Sequence, residues 1–461
     1  MNTHVIGGAP EPGDVPVDLV DEKGLDRWLE TQPESTRRWV RAAGFEARPH
    51  TRCLVPDARH ELASVLVGVG DRADPWCCAD LPGALPARRY RIRTELASEE
   101  SERIAIGWGL GAYRFDRYRS GTDRRERATL HAGERIAHRA GRQIEAICLV
   151  RDLVNTPADD LLPSRLHDAA RDLAGAFGAK ISAIVGDDLV ANGYPAIHAV
   201  GRASADPPRL VDLRWGDADA PRVTLAGKGV CFDSGGLDLK SARGIRLMKK
   251  DMGGAAHVLG LARLVMDSGL PVRLRVLVPA VENAVSANAY RPGDVLATRA
   301  GLTVEVDNTD AEGRIVLCDA LTEAAREEPD VLVDFATLTG AARVALGPDL
   351  PALFSNDDDL ARGLAHHADD VRDPLWRLPL HAPYAELLDS RIADISNSAS
   401  SPHAGAITAA LFLDRFVPDG VPWAHFDLMA WNQRSRPGRP AGGEAMALRA
   451  TWAWMEKRYG H

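Results

Sequence analysis

Residues 222–240 read RVTLAGKGVCFDSGGLDLK. Arg222 to Ala226 predicts a strand, and that strand runs into the glycine-rich Gly227-Lys228-Gly229. Two other segments share its mixture of charges and glycines: Met248-Lys249-Lys250-Asp251-Met252-Gly253-Gly254-Ala255 and Asn308-Thr309-Asp310-Ala311-Glu312-Gly313-Arg314. Each stands where an expected strand ends or an expected helix begins. In open α/β sheets, ligands bind at such places.

Working outward, Gly253 to Gly269 predicts a helix and Val272 to Pro279 an alternating strand. Gly313 to Glu327 predicts a helix with Ile315, Leu317, Leu321 and Ala324 as its apolar side; Val331 to Phe335 is a short apolar strand and Ala404 to Phe416 a late helix. Ser164 is placed to cap a helix ending near Gly178. Strands separated by helices imply a sheet with helices on both faces. Upstream, Ile136, Ile144, Ile147, Leu149, Val150 and Leu153 recur at helical spacing from Glu134 to Val154, and Asn155-Thr156-Pro157 stops that helix. Val65-Leu66-Val67-Gly68-Val69 and Ile104-Ala105-Ile106-Gly107 predict buried strands of a smaller α/β domain. The expected organisation is an N-terminal α/β domain over 1–125, a connecting linker and helix over 126–156, and a catalytic domain over 157–461.

Composition narrows the class. With 45% hydrophobic and 26% charged residues the chain reads as soluble and globular. Its formal net charge of −9 argues against a dedicated nucleic-acid binder. One stretch runs the other way: Arg114 to Arg142 holds nine arginines against Asp116, Asp123, Glu126 and Glu134. It is either an anion or nucleic-acid patch or, more simply, a solvated linker and helix surface. The six cysteines form no C-x-x-C pair, so they predict reduced, buried thiols rather than a zinc-thiolate site. Met1 to Asp21 lacks the basic and apolar regions of a signal peptide, and no run of about 18 apolar residues occurs, so a cytoplasmic protein is expected.

Brought together, the three segments would place Asp233, Asp251, Asp310 and Glu312 in one site. Like charges at ~4 Å push each other's pKa upward, and two divalent cations balance four carboxylates. Carboxylate-bridged ions about 3.5–4 Å apart are a hydrolytic device. Lys228 beside a dication would lose its proton and ligate through its amine, while a second lysine, kept charged, would polarise a carbonyl oxygen. Plainer roles exist for each residue alone: an Asp as turn former, Asp310 and Glu312 at a helix N-terminus, Lys228 and Lys240 on the surface. There is no nucleotide-binding glycine loop, no G-x-S-x-G elbow and no metal-type histidine spacing; His366 and His367 are adjacent.

These segments resemble the signature stretches of the leucyl aminopeptidase family, the two-zinc cytosolic exopeptidases. The intervals from Lys228 to Asp233, Lys240, Asp251 and Asp310 fit as well, and Asp334 to Ala342 is also similar. The similarity covers roughly Arg151 to Asp427. It implies a mixed central sheet sandwiched by helices, a small N-terminal α/β domain and a hexamer of two trimers. It implies two divalent ions, Zn or Mn with Mg or Co as options. Lys228, Asp233, Asp251 and Glu312 would hold one, and Asp233, Asp310 and Glu312 the other. It implies that Lys240 stabilises the oxyanion and that Arg314, with the backbone of Gly313 and Leu338, seats a bicarbonate general base. Met248, Thr337 and Gly340 match pocket positions for the first side chain. Met429 and Asn432 stand in Leu428-Met429-Ala430-Trp431-Asn432, where the family often has a short Ala-Gly run; a preference for leucine therefore does not carry over. The implied substrates are peptides with a free N-terminus. Two other roles compatible with the resemblance are a cysteinylglycine-type dipeptidase and a DNA-binding regulator, the latter resting only on the arginine-rich stretch.

Overall fold

The run Arg222–Gly227 is a central strand of a nine-stranded sheet in the computed structural model, which describes residues 3–72, 74–120 and 126–460. Trp423–Asp427, Val331–Ala336, Arg222–Gly227 and Arg273–Asn283 lie side by side and parallel. Gly229–Asp233 also pairs in parallel with Arg273–Asn283. Arg209–Trp215 borders them antiparallel on one side, with Lys180–Val185 antiparallel to it in turn, and Ala352–Ser355 borders them antiparallel on the other. The sheet is therefore mixed. Arg273–Asn283 extends beyond the expected Pro279 and is buried along nearly its whole length, as a strand covered on both faces must be.

Successive residues of Arg222–Gly227 meet different helices. Ala226 belongs to the apolar cluster that includes Ile315, Leu317 and Leu321 of helix Glu312–Ala325. Gly227 faces helix Gly253–Ser268, where a Cβ would lie 2.5 Å from Val258 Cγ2 and 2.7 Å from the Gly254 carbonyl. The period-two alternation of the strand thus serves two helical layers.

The chain divides into two units, Met1–Cys148 with Arg434–Ala441, and Leu149–Gln433 with Gly442–His461. The division falls inside helix Glu134–Asn155. The first unit is built on a six-stranded sheet in the order Val5–Ile6, Thr129–His131, Arg89–Ile92, Val15–Val20, Leu62–Gly68, Arg52–Pro56. Only the last strand pairs antiparallel.

Two expectations are corrected. Ile104 to Gly107 is not a strand but part of helix Ser98–Ala112. That helix buries its C-terminal half on every side, so no polar face marks its period. Its glycines allow close backbone contact: a Cβ on Gly107 would lie 1.6 Å from the Pro75 carbonyl oxygen, and one on Gly111 1.9 Å from that of Ala79. Ser164 does not cap the following helix, which begins at Pro163; its amide and hydroxyl both donate to Asp206, at 3.0 and 2.5 Å. The other end is as expected, with Gly178 left-handed at φ 66°. All six cysteines are free and buried. Among the described residues no helix is long and apolar enough to cross a membrane.

His257 links helix Gly253–Ser268 to the C-terminal segment. Its Nδ1–H donates to the Gly253 carbonyl at 2.6 Å and its Nε2 accepts the Met446 amide at 2.9 Å, which fixes the neutral tautomer. Burial lowers its pKa to about 4, against the opposing pull of the Gly253 carbonyl. An unfolded histidine titrates near 6.5, so between these values the unfolded chain binds the extra proton. Stability from this side chain is complete above pH ~6.5 and falls by up to about 3 kcal/mol on acidification toward pH 4. Asp319, raised to about 6 chiefly by burial, works in the opposite direction. The measurement is therefore a difference: the stability of wild type minus that of His257→Gln, from chemical denaturation, should fall on acidification from pH ~6.5 toward pH 4, and parallel profiles would contradict the assignment.

Candidate metal centre

The parallel strands release their chemical groups at their carboxyl ends. Lys228 follows Arg222–Gly227, Asp233 closes Gly229–Asp233, Asn283 closes Arg273–Asn283, Thr337 follows Val331–Ala336, and Asp427 closes Trp423–Asp427. Asp251 lies in the 3₁₀ turn Met248–Met252 that leads into helix Gly253–Ser268. Asp310 precedes helix Glu312–Ala325, and Glu312 is that helix's first residue.

The structure brings the five expected ligands together. Lys228 Nζ is 2.6 Å from Asp251 Oδ2 and 2.8 Å from Glu312 Oε1. Lys240 Nζ is 2.8 Å from Asp233 Oδ2 and also pairs with Asp310. Carboxylate oxygens of Asp233, Asp310 and Glu312 lie within 4.8 Å of one another. Gly313 explains how Lys228 fits: a Cβ there would sit 2.5 Å from Lys228 Cε and 2.7 Å from its Nζ.

Other residues hold the acids in place, and motif reading did not single them out. Asn283 Nδ2 donates to Asp233 Oδ1 at 2.9 Å and to the Thr309 carbonyl at 3.1 Å. The Tyr290 hydroxyl donates to the same carbonyl at 2.6 Å. Thr337 Oγ1 donates to Asp251 Oδ1 at 2.7 Å. Asn397 Oδ1 accepts the Asp307 and Asn308 amides at 2.9 and 3.2 Å, while its backbone carbonyl accepts Arg314 Nη1 at 2.8 Å. The one signal for Asn283 was positional, a polar residue where a core strand ends beside a neighbour that also ends in an acid. Asn397, in the loop-like Ser396-Asn397-Ser398, carried none.

The electrostatics are those of a crowded acid site. Burial first, and then Asp233, push the Glu312 carboxyl well above the usual range and raise Asp310 as well. Burial would also raise Asp251, but Lys228 and Lys250 outweigh it and bring it down to about 2. Burial would lower Lys228 and Lys240, yet Asp251 and Glu312 around the first, and Asp233 beside the second, hold both above the ordinary lysine value. Four carboxylates thus meet two ammonium groups in direct contact. Glu312 Oε2 is buried with no hydrogen-bond donor among the described residues, and Oε1 is met only by the Lys228 ammonium. A carboxylate cluster short of positive charge fits divalent cations.

The remaining expected residues fall as follows. Arg314 is buried, its pKa lowered to about 10 by that burial, and its Nε has no acceptor among the described residues. The Leu338 amide donates to Asp427 Oδ1 at 3.0 Å. Thr337 and Ala430 flank Gly253, where a Cβ would lie 3.0 and 2.5 Å from their side chains. Met248 and Met429 are buried. The Asn432 amide donates to Glu444 at 2.5 Å, and Glu444 in turn receives Arg151 Nε at 3.0 Å. In the arginine-rich stretch Arg124 and Arg125 lie outside the described residues; Arg135 donates to Ser98 and Arg139 to Glu102, at 2.6 and 2.7 Å.

A mixed α/β sheet with an acid cluster suited to dications at its strand ends is the architecture of a metal-type hydrolase. Comparison with known proteins gives the family. Residues 148–451 match the catalytic domain of the cytosol aminopeptidase family, and residues 15–131 match the M17 aminopeptidase N-terminal domain, which no motif in the sequence had revealed. The chain belongs to the cytosol aminopeptidase family and is a peptidase hydrolase. A probable cytosol aminopeptidase of Roseiflexus castenholzii is 44% identical over 416 residues, 84% of this chain and 85% of that protein. The crystal structure of the cytosol aminopeptidase from Coxiella burnetii superimposes with a TM-score of 0.96 at 50% identity, covering 99% of each chain. The bottromycin maturation enzyme BotP in complex with Mn matches with a TM-score of 0.87 at 36% identity, over 97% of this chain and 100% of BotP.

Gly313→Ala separates the two roles of that glycine. Alanine favours a helix by about 1 kcal/mol, so a purely structural glycine would gain stability on replacement. If Gly313 instead makes room for Lys228, the variant should lose bound metal on elemental analysis without becoming more stable. Full metal content with a raised melting temperature would contradict this.

Proposed function

We propose that the chain removes N-terminal residues from peptides with a pair of divalent ions, Zn or Mn, held by Lys228, Asp233, Asp251, Asp310 and Glu312. The observation that carries the reading is the convergence of these five side chains, with Glu312 buried and short of donors. Lys228, Asp233, Asp251 and Glu312 would hold one ion, and Asp233, Asp310 and Glu312 the other. Bound there, such a pair would supply a water of lowered pKa, about 7, and Lewis acidity toward the peptide's terminal amine.

The chain's own groups do the rest. Asn283 and Thr337 orient Asp233 and Asp251 through hydrogen bonds of 2.9 and 2.7 Å. Lys240 is the one ammonium of the cluster with appreciable solvent contact, 16% against 2% for Lys228, and its neighbours hold it charged. It is the donor for the oxyanion that develops on the scissile carbonyl. Arg314, with its free buried Nε, would seat a bicarbonate beside Gly313 and Leu338, Leu338 sharing its amide with Asp427. A bicarbonate held there supplies a general base. Met248, Thr337, Gly340, Met429 and Asn432 would line the pocket for the first side chain.

Lys240→Ala should lower kcat by about 10²–10³-fold with little change in KM. An unchanged kcat on a dipeptide panel in excess Mn would remove Lys240 from the mechanism. The same reading includes assembly as a hexamer of two trimers; analytical ultracentrifugation tests this, and a monomer at micromolar concentration contradicts it.

A further inference from the structure

Two cations beside the acid cluster lack an anion of their own. Lys250 is 2% exposed and its ammonium has no hydrogen-bond acceptor among the described residues. Its ion-pair contact, Asp251 Oδ1 at 4.0 Å, is already engaged by the Thr337 hydroxyl. Arg343 is half-buried on helix Gly340–Leu346, one turn beyond Gly340, so it shares that residue's face of the helix. Its Nη2 is 3.6 Å from the point a Gly340 Cβ would occupy. Among the described residues its guanidinium makes no hydrogen bond or ion pair.

Nearby acids do not neutralise them. Lys250 lies in electrostatic range of Arg343 and Asp427, and Arg343 of Asp427. Asp427, however, accepts the Leu338 and Thr339 amides on one oxygen, at 3.0 and 3.1 Å, and the Thr339 hydroxyl on the other at 2.5 Å. Asp233, Asp310 and Glu312 answer to Lys240 and Lys228. The wall that begins at Gly340 is therefore positive, with a guanidinium fork free to take a planar anion.

We propose that Arg343 is a specificity residue that selects peptides whose N-terminal side chain bears a carboxylate, as in aspartate or glutamate. Lys250, buried nearby, adds to that positive field. The inference rests on the aminopeptidase reading and on Gly340 lining the first-residue pocket. It also sets what is rejected: a lysine or arginine side chain would bring a third cation to the same wall.

The experiment uses the Mn-loaded full chain and fluorogenic amides of glutamate, glutamine, leucine and lysine. Wild type should prefer glutamate to glutamine by about tenfold or more, since a charge-assisted bond distinguishes them. Arg343→Met should lower kcat/KM for the glutamyl amide by about 10–100-fold and leave the leucyl amide nearly unchanged. Arg343→Lys should restore much of the loss, and Arg343→Glu should shift preference toward lysine. Equal rates for glutamate and glutamine in wild type, or a uniform loss across substrates in Arg343→Met, would overturn the proposal. So would an effect confined to dipeptides with a free C-terminal carboxylate and absent from their C-terminal amides, which would make Arg343 a reader of the peptide's other end. Inactivity of the wild type on every amide would remove the aminopeptidase reading instead. Calorimetry with free glutamate against glutamine then decides the role of Arg343 without turnover, and equal affinities overturn it.

Discussion

Repulsion among four carboxylates in one buried pocket is the constraint around which the catalytic unit is arranged. Left in an apolar interior, Asp233, Asp251, Asp310 and Glu312 would take up protons or force the pocket open. The structure meets that repulsion in two ways. Lys228 and Lys240 sit directly on the acids. Asn283, Thr337 and the backbone amide of Gly235 donate to the oxygens that the lysines do not reach, Gly235 to Asp233 Oδ1 at 2.9 Å. Glu312 is left with the least compensation, and burial drives its carboxyl well above its ordinary range. A ligand that binds only the folded chain adds to its stability by mass action, so a dication there would offset folding free energy as well as supply chemistry.

The positions of these groups follow from parallel strands. A parallel sheet places every carboxyl end on one edge, so side chains more than a hundred residues apart in sequence, Lys228 and Thr337 for example, become neighbours; Lys228 Nζ donates to the Thr337 carbonyl at 3.3 Å. The glycines near the motifs are part of the same geometry. Gly254 packs where a Cβ would be 2.0 Å from the Phe335 carbonyl oxygen, bringing helix Gly253–Ser268 hard against the strand and Asp251 down to the pocket.

Much of this was legible in the sequence, and the reasons are local. The helices Glu134–Asn155, Gly253–Ser268 and Glu312–Ala325 show at their ends, where proline, left-handed glycine or a first-turn acid punctuates the chain. The acid cluster announced itself because charged residues set among glycines at strand ends have few structural reasons to be there. Helix Ser98–Ala112 was misread because complete burial removes the polar stripe that distinguishes a helix from a strand. Ser164 was misread because its partner, Asp206, lies forty-two positions away, beyond any capping pattern. Asn397 was invisible for the same reason: its work is to hold the Asp307–Asn308 backbone, a contact set by tertiary structure alone.

Asp427 shows why some parts of the site can vary and others cannot. It fixes the Leu338 and Thr339 amides, and the Thr339 hydroxyl that it receives also accepts the Ala342 amide and caps helix Gly340–Leu346. Thr337, one residue earlier, steadies Asp251. The acid cluster and the proposed pocket wall therefore share one short loop, and a change in that loop's backbone would disturb both. Side chains carried on this frame without holding it, Arg343 on the helix and Met429 just past the strand, are free of that coupling. Selectivity can change at such positions while the acid cluster stays as it is.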